Sequence, residues 1–127
     1  INQEKLNKYK NFKNINTIYF DLETTEEWPL VEEYYDVIIV VNYLHRPKIK
    51  KLINLLNKNG YLFYETFSLG NEKYGSPKNP NFLLKDNELL NIFGQELLPL
   101  SFYDGKLNYG KIVIKQRASF IKKASYK

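Results

Sequence analysis

The sequence has neither cysteine nor methionine among its 127 residues. Without cysteine, disulfide bonds and cysteine-based zinc sites are excluded. Histidine occurs once, as His45, so a metal site built from several histidines is excluded as well. The carboxylates show no paired spacing typical of a metal site, and we expect no bound metal.

Long apolar runs are also missing. A membrane-spanning helix needs about 20 consecutive apolar residues, whereas the longest run, residues 37–41, has the length of a strand. No signal or transit peptide is recognisable. The P-loop that cradles nucleotide phosphates and the G-x-S-x-G elbow that presents a nucleophilic serine are absent too. We therefore expect a cytoplasmic protein that is neither a membrane protein nor a hydrolase of that type.

Arginine is scarce although the chain is basic. The net charge is +5, yet only two of the 19 basic residues are arginines, Arg46 and Arg117. Proteins that read nucleic acids favour arginine for forked contacts to bases and phosphates. The lysines accompany many Asn, Ile and Tyr residues, a bias typical of an AT-rich genome. We therefore do not expect a nucleic-acid partner.

Enough apolar residues are present for one packed core. The hydrophobic fraction is 43% and the charged fraction is 26%, which argues against a disordered chain. A length of 127 residues allows one domain, which we assign to residues 1–127. Because the sequence begins at Ile1 within a helix-like stretch, we expect this domain to be incomplete at its N-terminus.

The centre of the sequence predicts a strand–helix–strand unit. Residues 36–42 are nearly all β-branched and do not alternate with polar residues, as in a parallel strand buried on both faces. A helix over residues 47–58 should follow, opened by Pro47 and closed by Gly60. Residues 60–67 form the second strand. Such units place two parallel strands in one sheet, and we expect these two to be adjacent.

Other elements are predicted on either side of this unit. Residues 1–14 have helical periodicity, and residues 17–20 form a short strand ending at Asp21. A long loop at residues 68–85 has a length usually associated with function. A helix capped by Asp86 and closed by Gly94 follows. Residues 97–103 and 109–116 then pair as a hairpin that turns at residues 104–105.

Polar residues stand at the carboxyl ends of the three predicted parallel strands, where ligands bind in open sheets. They are Asp21, Asn42 and Glu65, with His45 and Arg46 following the second strand. Each has a structural alternative: Asp21 could begin a turn, Asn42 could cap a helix, and Glu65 could pair with a lysine. His45 and Arg46 could be a solvated helix entry, or could set a titrating group beside a cation at the mouth of a pocket.

Four sequence blocks occur in a recognisable order. They read D-L-E, W-P-L, Y-D-V-I-I-V-V-N-Y-L-H-R-P and N-G-Y-L-F-Y-E-T-F, and the most specific strings are N-Y-L-H-R-P, E-T-F-x-x-G-N and F-L-L-K-x-N-E-L-L. With these blocks the chain resembles the later part of class I S-adenosylmethionine-dependent methyltransferases. It is most similar to the small-molecule group of the tellurite-resistance type. The resemblance spans residues 15–116.

The resemblance implies an α/β fold. The expected arrangement is Rossmann-like and three-layered (α/β/α), contains strands 3 to 7 of the family, and ends in an antiparallel hairpin. The family's sheet order is 3-2-1-4-5-7-6. Its glycine-rich turn after the first strand and its ribose-binding acidic residue have no counterpart in this sequence, and we expect both before residue 1. The strand at residues 17–20 would then lack neighbours, and unpaired buried backbone groups are costly.

S-adenosyl-L-methionine is the cofactor that the resemblance implies. Asp21 would accept a hydrogen bond from the adenine amino group, and the backbone N–H of Leu22 would donate to the ring. Asn42 and Tyr43 would lie against the methionine part of the cofactor and the methyl group. Residues 68–85 would cover the substrate.

His45, Arg46 and Glu65 are the catalytic candidates, which would orient or deprotonate the methyl acceptor. Asn42 is not followed by Pro-Pro and an aromatic residue, the pattern of methylases acting on the amino groups of bases, so we expect a small-molecule acceptor. Two alternatives stay open: a methyltransferase-like module that binds a partner without catalysis, and an RNA methyltransferase whose lysines contact phosphates. A homodimer is also left open.

Overall fold

A computed structural model of the protein describes residues 3–124. The chain divides into two compact units, Ile1–Leu30 and Val31–Lys127. No helix within residues 3–124 is long and apolar enough to cross a membrane. The assignment of residues 1–127 to a single partial domain stays a prediction.

The first unit contains one short helix, α1, at Gln3–Asn7. It occupies part of the helix predicted over residues 1–14, of which residues 1 and 2 lie outside the described range. The strand predicted at residues 17–20 is wrong, because this segment pairs with no strand within residues 3–124. A strand is stabilised by hydrogen bonds to its neighbours. In the sheet order implied by the resemblance, two further strands would join this segment to the sheet, and residues 1–127 contain no pattern for them.

The second unit is built on a four-stranded sheet. Its strands are β1 (Tyr35–Val41), β2 (Leu56–Phe67), β3 (Leu98–Asn108) and β4 (Ile112–Ile121), in the spatial order β1-β2-β4-β3. Strands β1 and β2 are adjacent and parallel, whereas β4 is antiparallel to both β2 and β3. The predicted parallel pair is therefore confirmed. The order equals the last four positions of 3-2-1-4-5-7-6, which confirms this part of the predicted fold.

The helix between the parallel strands is shorter than predicted. Helix α2 covers Lys51–Leu55 and not residues 47–58, because residues 46–50 form turns and Leu56 already pairs with Tyr35 of β1. Gly60 does not close this helix but lies inside β2. A side chain at this position would meet the backbone of β1, since a Cβ on Gly60 would lie 3.0 Å from the carbonyl oxygen of Tyr35. Glycine thus permits the close approach of the two strands.

Helix α3 covers Glu88–Phe93 and ends at Gly94, as predicted. The predicted cap by Asp86 is wrong: the residue before the helix is Asn87, in a left-handed conformation (φ 59°) and without a side-chain cap. The first turn takes its partner from β4, because the side-chain oxygen of Gln116 accepts a hydrogen bond from the backbone N–H of Leu89 at 3.1 Å. A distant strand therefore satisfies a helix end that usually depends on its own cap.

Strands β3 and β4 form the predicted hairpin with a different turn. The chain reverses at residues 109–111, where Gly110 has a φ of 88°, and not at residues 104–105. Asp104 lies inside β3 opposite Gln116. Its carboxylate accepts hydrogen bonds from Ser68 Oγ (2.8 Å) and Gln116 Nε2 (3.2 Å), and these bonds hold it within the sheet.

One face of the sheet is covered and the other is open. On the covered face Tyr64 and Phe120 are buried against Phe93 of α3, with ring centroids 5.9 and 5.5 Å from that ring. Ile39 of β1 is 69% exposed on the opposite face. Its exposed neighbours there are Val37, Val41, Tyr61 and Phe63. The prediction that β1 is buried on both faces is therefore wrong within residues 3–124, because no described helix covers this face.

Replacing Gly60 by alanine is expected to destabilise the second unit by about 1–3 kcal/mol, because the new methyl group forces β1 and β2 apart. Gly75→Ala is the matched control, since a Cβ there meets nothing within 4 Å. Urea unfolding of both variants measures the difference. Equal stability of the two variants would contradict the close approach at Gly60.

Candidate functional site

The carboxyl ends of β1 and β2 lie at the same edge of the sheet. Asn42 follows β1 in a left-handed conformation (φ 56°), and its backbone N–H donates to the carbonyl oxygen of Glu65 at 2.9 Å. The polar residues predicted at these two strand ends are therefore brought together. This edge is where ligands bind in open parallel sheets.

A buried lysine from β4 links the two strand ends. The ammonium group of Lys115 donates to Asn42 Oδ1 at 2.8 Å and to Glu65 Oε2 at 3.1 Å. Its side chain is only 6% exposed. The ring centroids of Phe67 and Tyr109 lie 4.7 and 5.5 Å from Nζ. Ion pairing and contact with two aromatic rings both stabilise the buried cation.

The second oxygen of Glu65 is also occupied. Arg117 Nη2 lies 2.8 Å from Oε1 and donates at 2.6 Å to the hydroxyl of Tyr109. Burial raises the pKa of Glu65, but the hydrogen bonds and charges of Lys115 and Arg117 outweigh it and hold this pKa below its ordinary value. Both carboxylate oxygens of Glu65 are thus engaged by cations, and a carboxylate with a lowered pKa is a weak base, so this arrangement suits orienting a ligand better than abstracting a proton. We call Asn42, Glu65, Tyr109, Lys115 and Arg117 the strand-end cluster.

A shallow cavity of about 290 Å³ adjoins the strand-end cluster on the open face of the sheet. Its lining is mainly apolar and includes Ile39, Val41 and Phe63. Glu65 and Arg117 provide its charged groups. The cavity therefore combines an apolar floor with one ion pair.

Arg46 forms a separate ion pair away from the strand-end cluster. Its guanidinium donates to Glu88 at 2.6 and 2.9 Å, and to the carbonyl oxygens of Asn81 and Leu83 at 3.0 and 2.9 Å. The hydrogen bonds that Arg46 donates to Glu88 raise the pKa of Arg46. Burial raises the pKa of Glu88. The hydrogen bonds that it accepts from Arg46 and from the N–H of Lys85 outweigh this effect, so the pKa lies below its ordinary value. These contacts attach the segment after β1 to residues 81–88. A catalytic role for Arg46 stays a prediction.

His45 and Tyr43 lie in the segment between β1 and the turns at 46–50. His45 is half-buried, and its backbone carbonyl oxygen accepts a hydrogen bond from the backbone N–H of residue 48. The carbonyl oxygen of Tyr43 accepts a hydrogen bond from the hydroxyl of Tyr64, whose pKa is raised by burial. The roles predicted for His45 and Tyr43 stay predictions.

Asp21 and Leu22 belong to the first unit. Asp21 Oδ1 accepts the backbone N–H of Glu23 at 3.0 Å, and the Leu22 carbonyl oxygen accepts Nε1 of Trp28 at 3.2 Å. The turn that was one alternative for Asp21 is therefore present. Contact of either residue with adenine stays a prediction.

The long segment 68–85 is anchored at both ends. Ser68 pairs with Leu84, and Leu83 and Leu84 are each 1% exposed. Asn71 is buried, and its Oδ1 accepts the backbone N–H of Ile114 at 3.0 Å. Short 3₁₀ helices lie at Asn71–Lys73 and Pro80–Phe82. Covering of a substrate by this segment stays a prediction.

Sequence reasoning did not find Lys115, Arg117 or Tyr109. A signal was present, because residues 115–117 read K-Q-R in the middle of an otherwise largely apolar strand. Since successive side chains of a strand point to opposite faces, at least one of these three had to point toward a covered face. Within residues 3–124 no group of three or more His, Asp or Glu side chains could hold a metal ion.

The Arg46–Glu88 pair is expected to make stability depend on pH. Glu88→Gln should lower the free energy of unfolding by about 1 kcal/mol near neutral pH, since the pair is partly solvated. The folded-state pKa of Glu88 is lowered, so its contribution is present above the unfolded-state pKa. It is lost as the pH falls through the folded-state pKa.

Melting temperatures of wild type and Glu88→Gln, measured near neutral pH and at about pH 3, test this dependence. The difference between the two proteins should shrink in acid. The control is Glu96→Gln, which changes an exposed glutamate beyond the C-terminal end of α3. A difference that stays constant with pH would contradict the ionic character of the pair.

Comparisons with known proteins give a consistent fold. No protein-family model matches the sequence, and no curated protein matches it. Three of the similar solved structures illustrate this. A SAM-dependent methyltransferase from Aquifex aeolicus has a TM-score of 0.62 at 15% identity, with 94% of this chain and 61% of that chain covered. TehB from Haemophilus influenzae has a TM-score of 0.59 at 21% identity, covering 94% of this chain and 45% of that chain.

The third structure is a SAM-dependent methyltransferase from Methanosarcina mazei, with a TM-score of 0.59 at 10% identity. The match covers 78% of this chain and 64% of that one. This chain thus spans between 45% and 64% of the length of the three structures. Its mixed four-stranded sheet with helices has the fold of the later part of class I methyltransferases.

Proposed function

We propose that the protein transfers a methyl group from S-adenosyl-L-methionine to a small-molecule acceptor. One observation carries this proposal: the polar ends of two adjacent parallel strands, at Asn42 and Glu65, meet at one edge of a methyltransferase-like sheet. Ligands bind at this edge in open parallel sheets. The fold shared with three methyltransferase structures supports the reaction class.

The proposed chemistry depends mainly on positioning. The bound cofactor would supply a methyl group on a sulfonium, which an acceptor lone pair displaces in line. Effective orientation contributes much of the rate in such reactions. Glu65 is held by Lys115 and Arg117, so its carboxylate has a fixed place and a lowered pKa. We assign it to orienting the acceptor, with Asn42 on the cofactor side.

The residues present fit only part of the cofactor. Asn42 offers a polar, exposed side chain at the end of β1. A glycine-rich turn and a ribose-binding acid are not encoded in residues 1–127. In the family order, strand one lies beside the strand that corresponds to β1. Among the described residues β1 is the edge of the sheet, paired only with β2. This free edge supports our proposal that a segment carrying the glycine turn completes the site.

Residues 1–127 by themselves are expected to bind S-adenosylmethionine weakly or not at all, because they lack the glycine turn and the ribose-binding acid. Calorimetry on this segment and on the complete gene product compares the two. Micromolar affinity of residues 1–127 alone would show that the cofactor site lies elsewhere.

A non-catalytic interaction module is the second candidate function. The open face of the sheet supports it, since Ile39 and Val41 are 69% and 53% exposed beside other apolar residues. Exposed apolar surface of this kind marks interaction sites in soluble proteins. A homodimer and a cytoplasmic location also stay predictions, and we assign no nucleic-acid partner.

Asp21 separates a cofactor role from a turn role. If its carboxylate accepts the adenine amino group, Asp21→Ala in the complete gene product should lower S-adenosylmethionine affinity by about 5- to 150-fold. Asp21→Asn should cost less, since its carbonyl oxygen still accepts a hydrogen bond. Asp86→Ala, another exposed aspartate, is the control.

The turn role predicts a different result. Asp21 Oδ1 accepts the N–H of Glu23, so losing the carboxylate would lower the melting temperature and leave cofactor affinity unchanged. Measuring affinity and melting temperature on each variant separates the two roles. Wild-type affinity in Asp21→Ala would remove Asp21 from the site.

A further inference from the structure

The side-chain amide of Asn42 has a defined orientation. The ammonium group of Lys115 donates a hydrogen bond to Oδ1 of this amide at 2.8 Å. An ammonium group donates hydrogen bonds and cannot accept one. The oxygen of the amide must therefore face Lys115, and the NH₂ group, on the other side of the planar amide, must point away from it.

The NH₂ group of Asn42 is available to a ligand. Asn42 is exposed, and within the described part of the chain no acceptor forms a hydrogen bond with Nδ2. The backbone of Asn42 is held by its own N–H bond to Glu65. Two N–H donors therefore point outward from the carboxyl end of β1.

Lys115 is held in place more firmly than a surface lysine. Its side chain is 6% exposed, and Glu65, Phe67 and Tyr109 surround its ammonium group. Moving a buried cation away from its partners is costly. The orientation that it imposes on Asn42 is therefore a property of the folded sheet.

The charge of the strand-end cluster agrees with an anionic ligand. Lys115 and Arg117 carry two positive charges and Glu65 carries one negative charge. The excess positive charge favours the carboxylate of a ligand over its ammonium group as the nearer of the two. Hydrogen-bond polarity and net charge thus point to the same chemical class.

We propose that Lys115 is a positioning residue that turns Asn42 into a hydrogen-bond donor, and that this donor binds the carboxylate of the cofactor's methionine part. The proposal rests on the proposed function. If a ligand amine lay here instead, its N–H groups would face the NH₂ group of Asn42, and neither group would have an acceptor. Glu65 then contacts the methyl acceptor and not the cofactor.

Two cofactor probes separate this role from a merely structural one. S-adenosylmethionine has the carboxylate, whereas decarboxylated S-adenosylmethionine keeps the adenosine, the sulfonium and the ammonium group without it. In the complete gene product, Asn42→Ala should weaken binding of S-adenosylmethionine about 10-fold. Binding of the decarboxylated probe should change less than about 2-fold, since it forms no bond to Asn42.

Lys115→Met should show the same preference in weaker form, with about 3- to 10-fold loss for the carboxylate-bearing probe only, because the freed amide can rotate. Lys111→Met, in the exposed turn between β3 and β4, removes the same charge and is the control. Asn42 is exposed, so Asn42→Ala carries the test if Lys115→Met does not fold.

The outcomes differ for the inference and for the function beneath it. Selective loss of S-adenosylmethionine binding in both variants supports the inference. Equal loss for both probes means a structural role only, and unchanged binding removes Asn42 from the site; either result overturns the inference while the proposed function stands. No binding of either probe by the wild-type gene product overturns the proposed function, and the inference with it.

Discussion

The parallel pairing of β1 with β2 is the contact on which the candidate site depends. It sets Asn42 and Glu65 at one edge of the sheet, although they are far apart in sequence. Gly60 permits this pairing, because the carbonyl oxygens of β1 leave no room for a side chain there. An antiparallel arrangement would place the two polar ends at opposite edges and leave no common site.

The Lys115–Glu65 and Arg46–Glu88 ion pairs serve different purposes in the second unit. Lys115 and Glu65 join β4 to the ends of the parallel strands, and the pair is largely buried. Arg46 and Glu88 attach the segment after β1 to the start of α3 and to the end of the long segment 68–85. Because every nitrogen of Arg46 that can donate is engaged by protein, its geometry favours a structural role. Glu65, at the edge of the cavity, lies closer to the proposed chemistry.

The open face and the free edge of β1 contrast with the composition of this strand. A strand without polar alternation is typical of a sheet covered on both faces, and the run at residues 37–41 has that composition. In residues 3–124 only one face is covered, and β1 has a neighbour on one side only. The composition of β1 thus differs from its observed surroundings, and the incomplete domain that would account for the difference stays a prediction.

The sequence by itself determined the parallel pair, the hairpin and two of the polar strand ends, because β-branched composition and strand spacing are local properties. It did not determine the strand at residues 17–20, whose formation depends on neighbours, or the turn at Gly110. Only the tertiary structure decided which lysine meets Asn42 and Glu65. Lys115 lies 73 residues from Asn42, and their contact depends on the register of the hairpin against β2. No local pattern encodes that register, since each of its hydrogen bonds joins residues that are distant in sequence.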